Sequence, residues 1–191
     1  MKKIFVGIVI LFWILHTEKL TVSANAGFSS FLSSIEIQPI QCVEVSIPEY
    51  SGFKSFMSFK TFGKKTAQYE LQQLATTDAN GLRKINDYYI IAVGSYFEAQ
   101  VGQRIDLVLE NGEVIKCLVG DEKADKDTDS ANIFSRNNGC MSEFIVDTCL
   151  LEKTVKKHGD VSFLPDEEWN SPVTKIILYD EIEEDLWQSQ D

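Results

Sequence analysis

The sequence predicts an all-β fold with a small α contribution, arranged as a barrel or a sandwich. Two observations support this prediction. Short apolar runs, several of them alternating with polar residues, are typical of strands, and turn-forming residues separate the runs. Little of the chain shows helical periodicity, so a parallel α/β sheet is not expected. The predicted strands cover residues 35–47, 87–93, 104–109, 114–119, 142–146 and 174–179.

The N-terminal residues 1–26 have the features of a secretory signal peptide. Lys2 and Lys3 form a positive n-region, and Ile4–Leu15 is an apolar run of 12 residues. A bilayer span needs roughly 20 residues. Residues 24–26 (ANA) fit the small-x-small cleavage pattern. We therefore expect a secreted protein, extracellular or in the cell wall, without a stable membrane span. Cleavage within residues 16–22, or an uncleaved anchor, is the alternative.

Residues 27–65 are expected to contain an N-terminal strand and an aromatic connection. Alternation places five apolar residues of the 35–47 run on one face, and Pro39 favours an edge position or a bend. The phenylalanines of residues 51–63 are more typical of core packing than of a ligand platform. A barrel domain is expected over 66–182, opening with a short helix over 66–74. Residues 183–191 then form an acidic tail.

Turn signals divide the later part of the chain. Residues 77–81 (TDANG) form one turn cluster, and Gly94-Ser95 follows the strand at 87–93. Asn111-Gly112 is a favoured dipeptide for a tight hairpin, so the strands on either side of it are expected to pair.

Charge excludes one class of partner. The chain has 191 residues and a net charge of −11, and loss of residues 1–26 removes a net +2 and leaves −13. The remaining 165 residues suffice for one domain with a buried core. An acidic surface without a basic stripe repels phosphate backbones, so nucleic acid is not an expected partner. We expect no cofactor, and the oligomeric state stays undetermined.

Four cysteines lie beyond the predicted signal peptide, at positions 42, 117, 140 and 149. An even number in an exported chain permits two disulfides with three connectivities. Alternatively they are unpaired, since Cys117 alternates with Ile115 and Val119 on one strand face. No Cys-x-x-Cys or Cys/His spacing indicates zinc, and His158 alone does not suggest a Cys-His nucleophile pair. No metal site is therefore assigned.

The stretch at residues 120–129 (GDEKADKDTD) concentrates carboxylates after a predicted strand. Asp125, Asp127 and Asp129 match the first three ligand positions of an EF-hand loop, but Ser130 and Arg136 occupy the positions that require glycine and glutamate. A non-standard calcium site is therefore an alternative to a solvated acidic turn.

Two aspartates directly follow strand-like apolar runs. Asp121 follows one run through a glycine, and Asp147 follows the run at 144–146. A carboxyl that leaves a hydrophobic strand is partly desolvated, which raises its pKa toward the range useful for proton donation. The structural alternative is that each aspartate caps a turn.

Three stretches carry a resemblance: 88–97 (YYIIAVGSYF), 105–125 (IDLVLENGEVIKCLVGDEKAD) and 142–147 (SEFIVD). They resemble the double-psi β-barrel domains of exported Gram-positive cell-wall proteins, in particular a family of secreted clostridial proteins. These domains are related to the 3D domain, the rare-lipoprotein-A-like domain and the catalytic domain of membrane-bound lytic transglycosylase A. The resemblance covers about residues 66–164 and implies a six-stranded double-psi β-barrel.

The resemblance implies peptidoglycan as the partner and a lytic-transglycosylase-like activity. In catalytic relatives an aspartate protonates the glycosidic oxygen while a hydroxyl of the sugar closes an anhydro ring. Asp121 and Asp147 are the matching catalytic candidates, with Asp125 third. Ser95 and Tyr96 would lie near the same rim and bind substrate. Glu143 ranks below the aspartates because it lies inside a strand.

The sequence also departs from this pattern. The glycine- and arginine-rich approach to the last aspartate of 3D domains is absent, and so is the His-Phe-Asp tripeptide of the expansin type. Two further hypotheses therefore remain: a non-catalytic module that binds wall glycan or a partner protein, and a barrel stabilised by calcium.

Overall fold

The computed structural model describes residues 42–46, 52–165 and 168–182. The predicted signal peptide, the first part of the strand predicted over 35–47 and the predicted acidic tail lie outside the described residues.

Strands dominate these ranges, with two short helices and a few 3-10 turns between them. The helices are α1 (Ala67–Leu74) and α2 (Lys153–His158). The strands are β1 (Cys42–Ser46), β2 (Ser55–Ser58), β3 (Thr76–Thr77), β4 (Arg83–Ile85), β5 (Tyr88–Gly94), β6 (Gln103–Leu109), β7 (Val114–Lys123), β8 (Glu143–Val146) and β9 (Val173–Ile182). The prediction of an all-β fold with a small α contribution is confirmed.

The nine described strands belong to one mixed sheet in the order β1-β9-β6-β7-β5-β4-β3, with β8 paired to β5 and β2 paired to β8. These pairings do not return to their starting strand, so the sheet is open. A closed six-stranded barrel is therefore not confirmed. The larger strand number has a simple origin, because β1 and β2 come from outside the predicted barrel range and β3 and β4 are very short.

Most neighbouring strands are antiparallel, but two pairs are parallel. β5 runs parallel to β7, and β2 runs parallel to β8. The predicted hairpin is present: β6 and β7 are antiparallel around Asn111 and Gly112, and Gly112 has a φ of +92°. A positive φ favours glycine, which explains this residue at the turn.

The apolar core lies on both faces of the sheet. The smaller cluster packs α1 against the sheet through Leu71, Ile90, Leu118 and Ile145. The larger cluster fills the other face, where Trp169 stacks on Phe144 with ring centroids 5.4 Å apart. The central strand β5 is therefore buried on both faces, which explains its unbroken apolar run at residues 90–93.

The four cysteines are all free. Cys117 and Cys140 are buried, whereas Cys42 and Cys149 are exposed. Ile115, Cys117 and Val119 are each at most 2% exposed, so the predicted alternation on one strand face is confirmed. Of the two alternatives for the cysteines, the structure shows the unpaired one.

No helix in the ranges that the structure describes is long and apolar enough to cross a bilayer.

Candidate functional site

A pocket lies where β5, β7 and β8 run side by side. Strand register pairs Ala92 of β5 with Asp121 of β7 on one side and with Glu143 of β8 on the other. The two carboxylates therefore flank the same point of β5. The pocket has a volume of ≈ 420 Å³ and is lined by Met57, Asp121, Glu122, Lys123, Ala124, Asp127, Ser135, Asn137 and Glu143. That volume falls within the range of small-ligand sites, roughly 300–1,000 Å³.

Asp121 is half-buried at the wall of this pocket, and its surroundings favour the protonated form. Burial raises the pKa of the carboxyl. Hydrogen bonds from the Gln68 side chain and the Glu122 backbone lower it, and the negative charge of Glu143 raises it. The net pKa lies above the ordinary value for aspartate. Asp121 therefore retains its proton to a higher pH than a solvated aspartate.

Glu143 has a different neighbour. Its Oε1 lies 3.7 Å from the ammonium of Lys123, and this ammonium is buried against the backbone oxygens of Cys140 and Met141 at 3.5 and 3.4 Å. The buried thiol of Cys140 lies 3.8 Å from the same carboxylate and 3.0 Å from Oγ of Ser55. The two acids of the pocket thus have different surroundings: Asp121 is desolvated, and Glu143 is paired with Lys123.

Ser95 and Asp125 are brought together beside the pocket. Oγ of Ser95 donates a hydrogen bond to Oδ1 of Asp125 at 2.5 Å. Asp125 itself is exposed and is not among the residues that line the pocket. Tyr96 is 50% exposed and contacts Phe97 edge to face, with ring centroids 5.3 Å apart. The proposed substrate-binding residues therefore adjoin the third predicted aspartate.

Asp147 lies at the other end of β8. It follows Val146, four positions after Glu143, which corresponds to about 13 Å along a strand. Its Oδ1 accepts a hydrogen bond from the backbone N–H of Cys149 at 3.0 Å, and its carbonyl accepts from Leu150 and Leu151. Asp147 therefore caps a turn and does not line the pocket with Asp121.

The acidic loop after β7 is held by its own hydrogen bonds. Oδ1 of Asp129 accepts from the backbone N–H groups of Ile133 and Phe134 at 2.8 and 3.1 Å. Asp127 lines the pocket, whereas Asp125 bonds Ser95. In the described part of the chain, no three His, Cys, Asp or Glu side chains are grouped to hold a metal ion. The three aspartates thus have separate surroundings and do not form one calcium site.

Gly94 permits this loop to pack against the end of β5. A Cβ placed on Gly94 would lie 1.9 Å from the backbone oxygen of Asn132. We expect Gly94→Ala to destabilise the fold by about 2 kcal/mol, because overpacking against backbone forces the loop to move. Urea unfolding would measure this change. Gly63→Ala is the control, because its added Cβ would meet only the Thr66 side chain, at 3.9 Å. Gly139 is exposed but unsuitable as a control, because its φ of +67° would strain an alanine. An equal loss in both variants would contradict the prediction.

The sequence ranked Glu143 below the aspartates and gave no role to Lys123 or Gln68, whereas the structure places Glu143 and Lys123 in the pocket and Gln68 against Asp121. Glu143 lies inside a strand, but its side chain faces the pocket while neighbouring Phe144 is fully buried in the core. Alternation along 143–146 was the signal for this orientation. Nothing local in the sequence indicates that β8 pairs with β5 near Asp121, so the partnership of the two acids required the structure.

Comparison with protein-family models, with curated proteins and with solved structures gives no match for this chain.

Proposed function

We propose that this chain is an exported cell-wall protein that cleaves the glycan strand of peptidoglycan in the manner of a lytic transglycosylase. The observation that carries the proposal is the pair Asp121 and Glu143, which flank Ala92 in one pocket with opposite surroundings. Acid–base cleavage of a glycosidic bond requires two carboxyl groups at one site, and here one is desolvated and the other is paired with an ammonium.

The proposed reaction needs one acid and one base. Asp121 is the acid: its O–H proton passes to the glycosidic oxygen as the bond from that oxygen to the anomeric carbon breaks. Glu143 is the base: it takes the proton of a hydroxyl on the same sugar, and the hydroxyl oxygen bonds to the anomeric carbon. The product ends in an anhydro ring and no water is consumed. Proton exchange with solvent then restores both groups.

We retain a relation to double-psi β-barrels as part of this proposal. It is supported by the two parallel strand pairs, β5 with β7 and β2 with β8, because a simple meander of hairpins does not produce parallel pairs. Secretion and attachment to the wall are likewise proposals that rest on residues 1–26.

Purified wild-type protein incubated with peptidoglycan sacculi should release fragments ending in anhydro sugars, detected by mass spectrometry. We expect Asp121→Asn and Glu143→Gln each to lower the rate at least about a hundredfold, the usual contribution of a general acid or base. Asp87→Asn is the matched control, because exposed Asp87 lies before β5, at the end remote from the pocket. Asp147→Asn tests the alternative acid pair. Fragments with hydrolysed ends, or no fragments, would contradict the proposed reaction.

A second candidate is a non-catalytic module that binds wall glycan. The hydrogen bond from Gln68 to Asp121 favours it, because this contact joins α1 to β7 and gives Asp121 a structural task. Under this reading, sacculi sediment the protein without releasing fragments. Asp121→Asn then lowers the melting temperature while binding persists.

A further inference from the structure

The side chain of Gln68 contacts Asp121, the proposed general acid, although Gln68 itself is not among the residues that line the pocket. Its Nε2 donates a hydrogen bond to Oδ1 of Asp121 at 3.0 Å. The two residues are 53 positions apart, and the contact links the first turn of α1 to β7. This bond therefore holds one oxygen of the Asp121 carboxyl against α1.

The position of Gln68 is fixed because α1 is held at both ends. At the N-terminus, Oγ1 of Thr66 accepts a hydrogen bond from the backbone N–H of Tyr69 at 3.1 Å. At the C-terminus, the guanidinium of Arg83 donates to the carbonyl oxygens of Gln72 and Ala75. Leu71, three residues after Gln68 and on the same helix face, is fully buried. The amide is therefore presented to Asp121 by a rigid element and not by a free side chain on a loop.

We propose that Gln68 is a positioning residue: by donating to Oδ1 of Asp121, it fixes the orientation of the carboxyl group at the pocket wall. The use of that carboxyl group in glycan cleavage rests on the proposed function. Its orientation by Gln68 does not.

The same contact sets how strongly Asp121 holds its proton. Burial raises the pKa of Asp121, and the hydrogen bond from Gln68 lowers it. Loss of the amide donor therefore moves the pKa up. A cation in its place stabilises the carboxylate and moves the pKa down.

Carboxyl ¹³C NMR titration of Asp121 in Gln68→Leu and Gln68→Lys tests this inference. Leucine should shift the titration to higher pH and lysine should shift it to lower pH, relative to the wild type. Both residues are good helix formers, so α1 is retained. Gln73→Leu is the matched control, since Gln73 is exposed on the same helix and should leave the titration unchanged. Unchanged titration in both Gln68 variants, or shifts in the same direction, would overturn the inference.

Cleavage provides a second readout. The high-pH limb of the rate profile should follow the titration in each variant. Gln68→Leu should lose roughly tenfold in kcat, because one hydrogen bond to the carboxylate that forms as Asp121 releases its proton is lost. If wild-type protein releases no fragments from sacculi, the proposed function fails, but the NMR titration still decides the role of Gln68. If fragments appear but the high-pH limb of the rate profile is the same in the wild type and the Gln68 variants, the positioning role of Gln68 is wrong while the proposed reaction stands.

Discussion

Replacing Lys54 by methionine is expected to destabilise the fold by about 4 kcal/mol, the scale measured when one member of a buried charged cluster is removed. The side chain of Lys54 is 0% exposed. Its ammonium donates to the carbonyl oxygens of Trp169 and Ser171, both at 2.8 Å, and to Gly52 O and Ser162 Oγ, both at 3.2 Å. These contacts tie β2 to the segment before β9.

Two effects oppose each other at Lys54, and their sizes decide whether Lys54→Met destabilises or stabilises the fold. Burial lowers the pKa of Lys54 from 10.5 to about 8, while the nearby carboxylate of Asp160 raises it. That shift corresponds to a cost of roughly 3 kcal/mol for holding the charged form. Methionine relieves this cost, but it leaves the carbonyl oxygens of Trp169 and Ser171 without their ammonium donor, at about 1–3 kcal/mol each when buried, and it leaves the carboxylate of Asp160 without its nearby cation. The loss is therefore larger than the relief.

The pH dependence follows from the direction of the shift. The folded-state pKa of about 8 lies below the unfolded value of 10.5, so the unfolded chain binds more protons between these limits. Stability contributed by Lys54 therefore rises as pH increases from 8 to 10.5. The free-energy gap between the wild type and Lys54→Met should widen over this range.

Urea denaturation at pH 7 and at pH 10 measures both effects. Lys116→Met is the control, because Lys116 is exposed on β7 and a surface change of this kind costs at most about 0.5 kcal/mol. A loss in Lys54→Met no larger than the control, or a gap that narrows at high pH, would contradict the assignment.

The local sequence pattern was sufficient to predict strands such as β7 and the hairpin between β6 and β7. It was not sufficient to predict which strands distant in sequence pair with each other. Alternation at residues 115–119 and the Asn111-Gly112 dipeptide depend on neighbours in sequence, and the structure confirms both. The helix predicted over 66–74 is present as α1. The sequence missed β2, because its four residues form a strand only through parallel pairing with β8, far along the chain.

The same limit applies to the candidate site. The sequence selected Asp121 because it follows an apolar run, and the structure places it inside β7, which extends to Lys123, where burial raises its pKa. Its partner could not be chosen the same way, because Glu143 reaches Asp121 across β5 while Asp147 leaves β8 at the opposite end. Buried Lys54 and Arg83 are also invisible to pattern, since each is stabilised by acceptors that tertiary structure assembles.

Arg83→Met should cost about 4 kcal/mol for a related reason. The side chain donates from Nε to Gln72 Oε1 at 3.0 Å, from Nη1 to Thr77 Oγ1 at 2.8 Å, and from Nη2 to the carbonyls of Gln72 and Ala75 at 2.5 and 2.9 Å. The guanidinium also lies 4.6 Å from the ring centroid of Phe59. The last-turn carbonyls of α1 lack intrahelical donors, so Arg83 acts as the C-terminal cap of the helix.

Thermal and urea unfolding of Arg83→Met, Arg83→Lys and Lys64→Met measure this contribution. Lysine keeps the positive charge but lacks the planar guanidinium group with its fork of N–H donors, so Arg83→Lys should recover less than half of the lost stability. Exposed Lys64, which precedes the same helix, provides a baseline near zero. Full recovery by lysine would show that charge alone matters and would contradict the role of the fork.

The cap on α1 also connects fold stability to the candidate site. Arg83 fixes the C-terminal end of the helix that presents Gln68 to Asp121, so loss of the cap should weaken the Gln68 bond. The Asp121 titration in folded Arg83→Met should then move to higher pH, in the same direction as in Gln68→Leu. An unchanged titration in a destabilised but folded variant would mean that Leu71 and the core alone hold α1 in place.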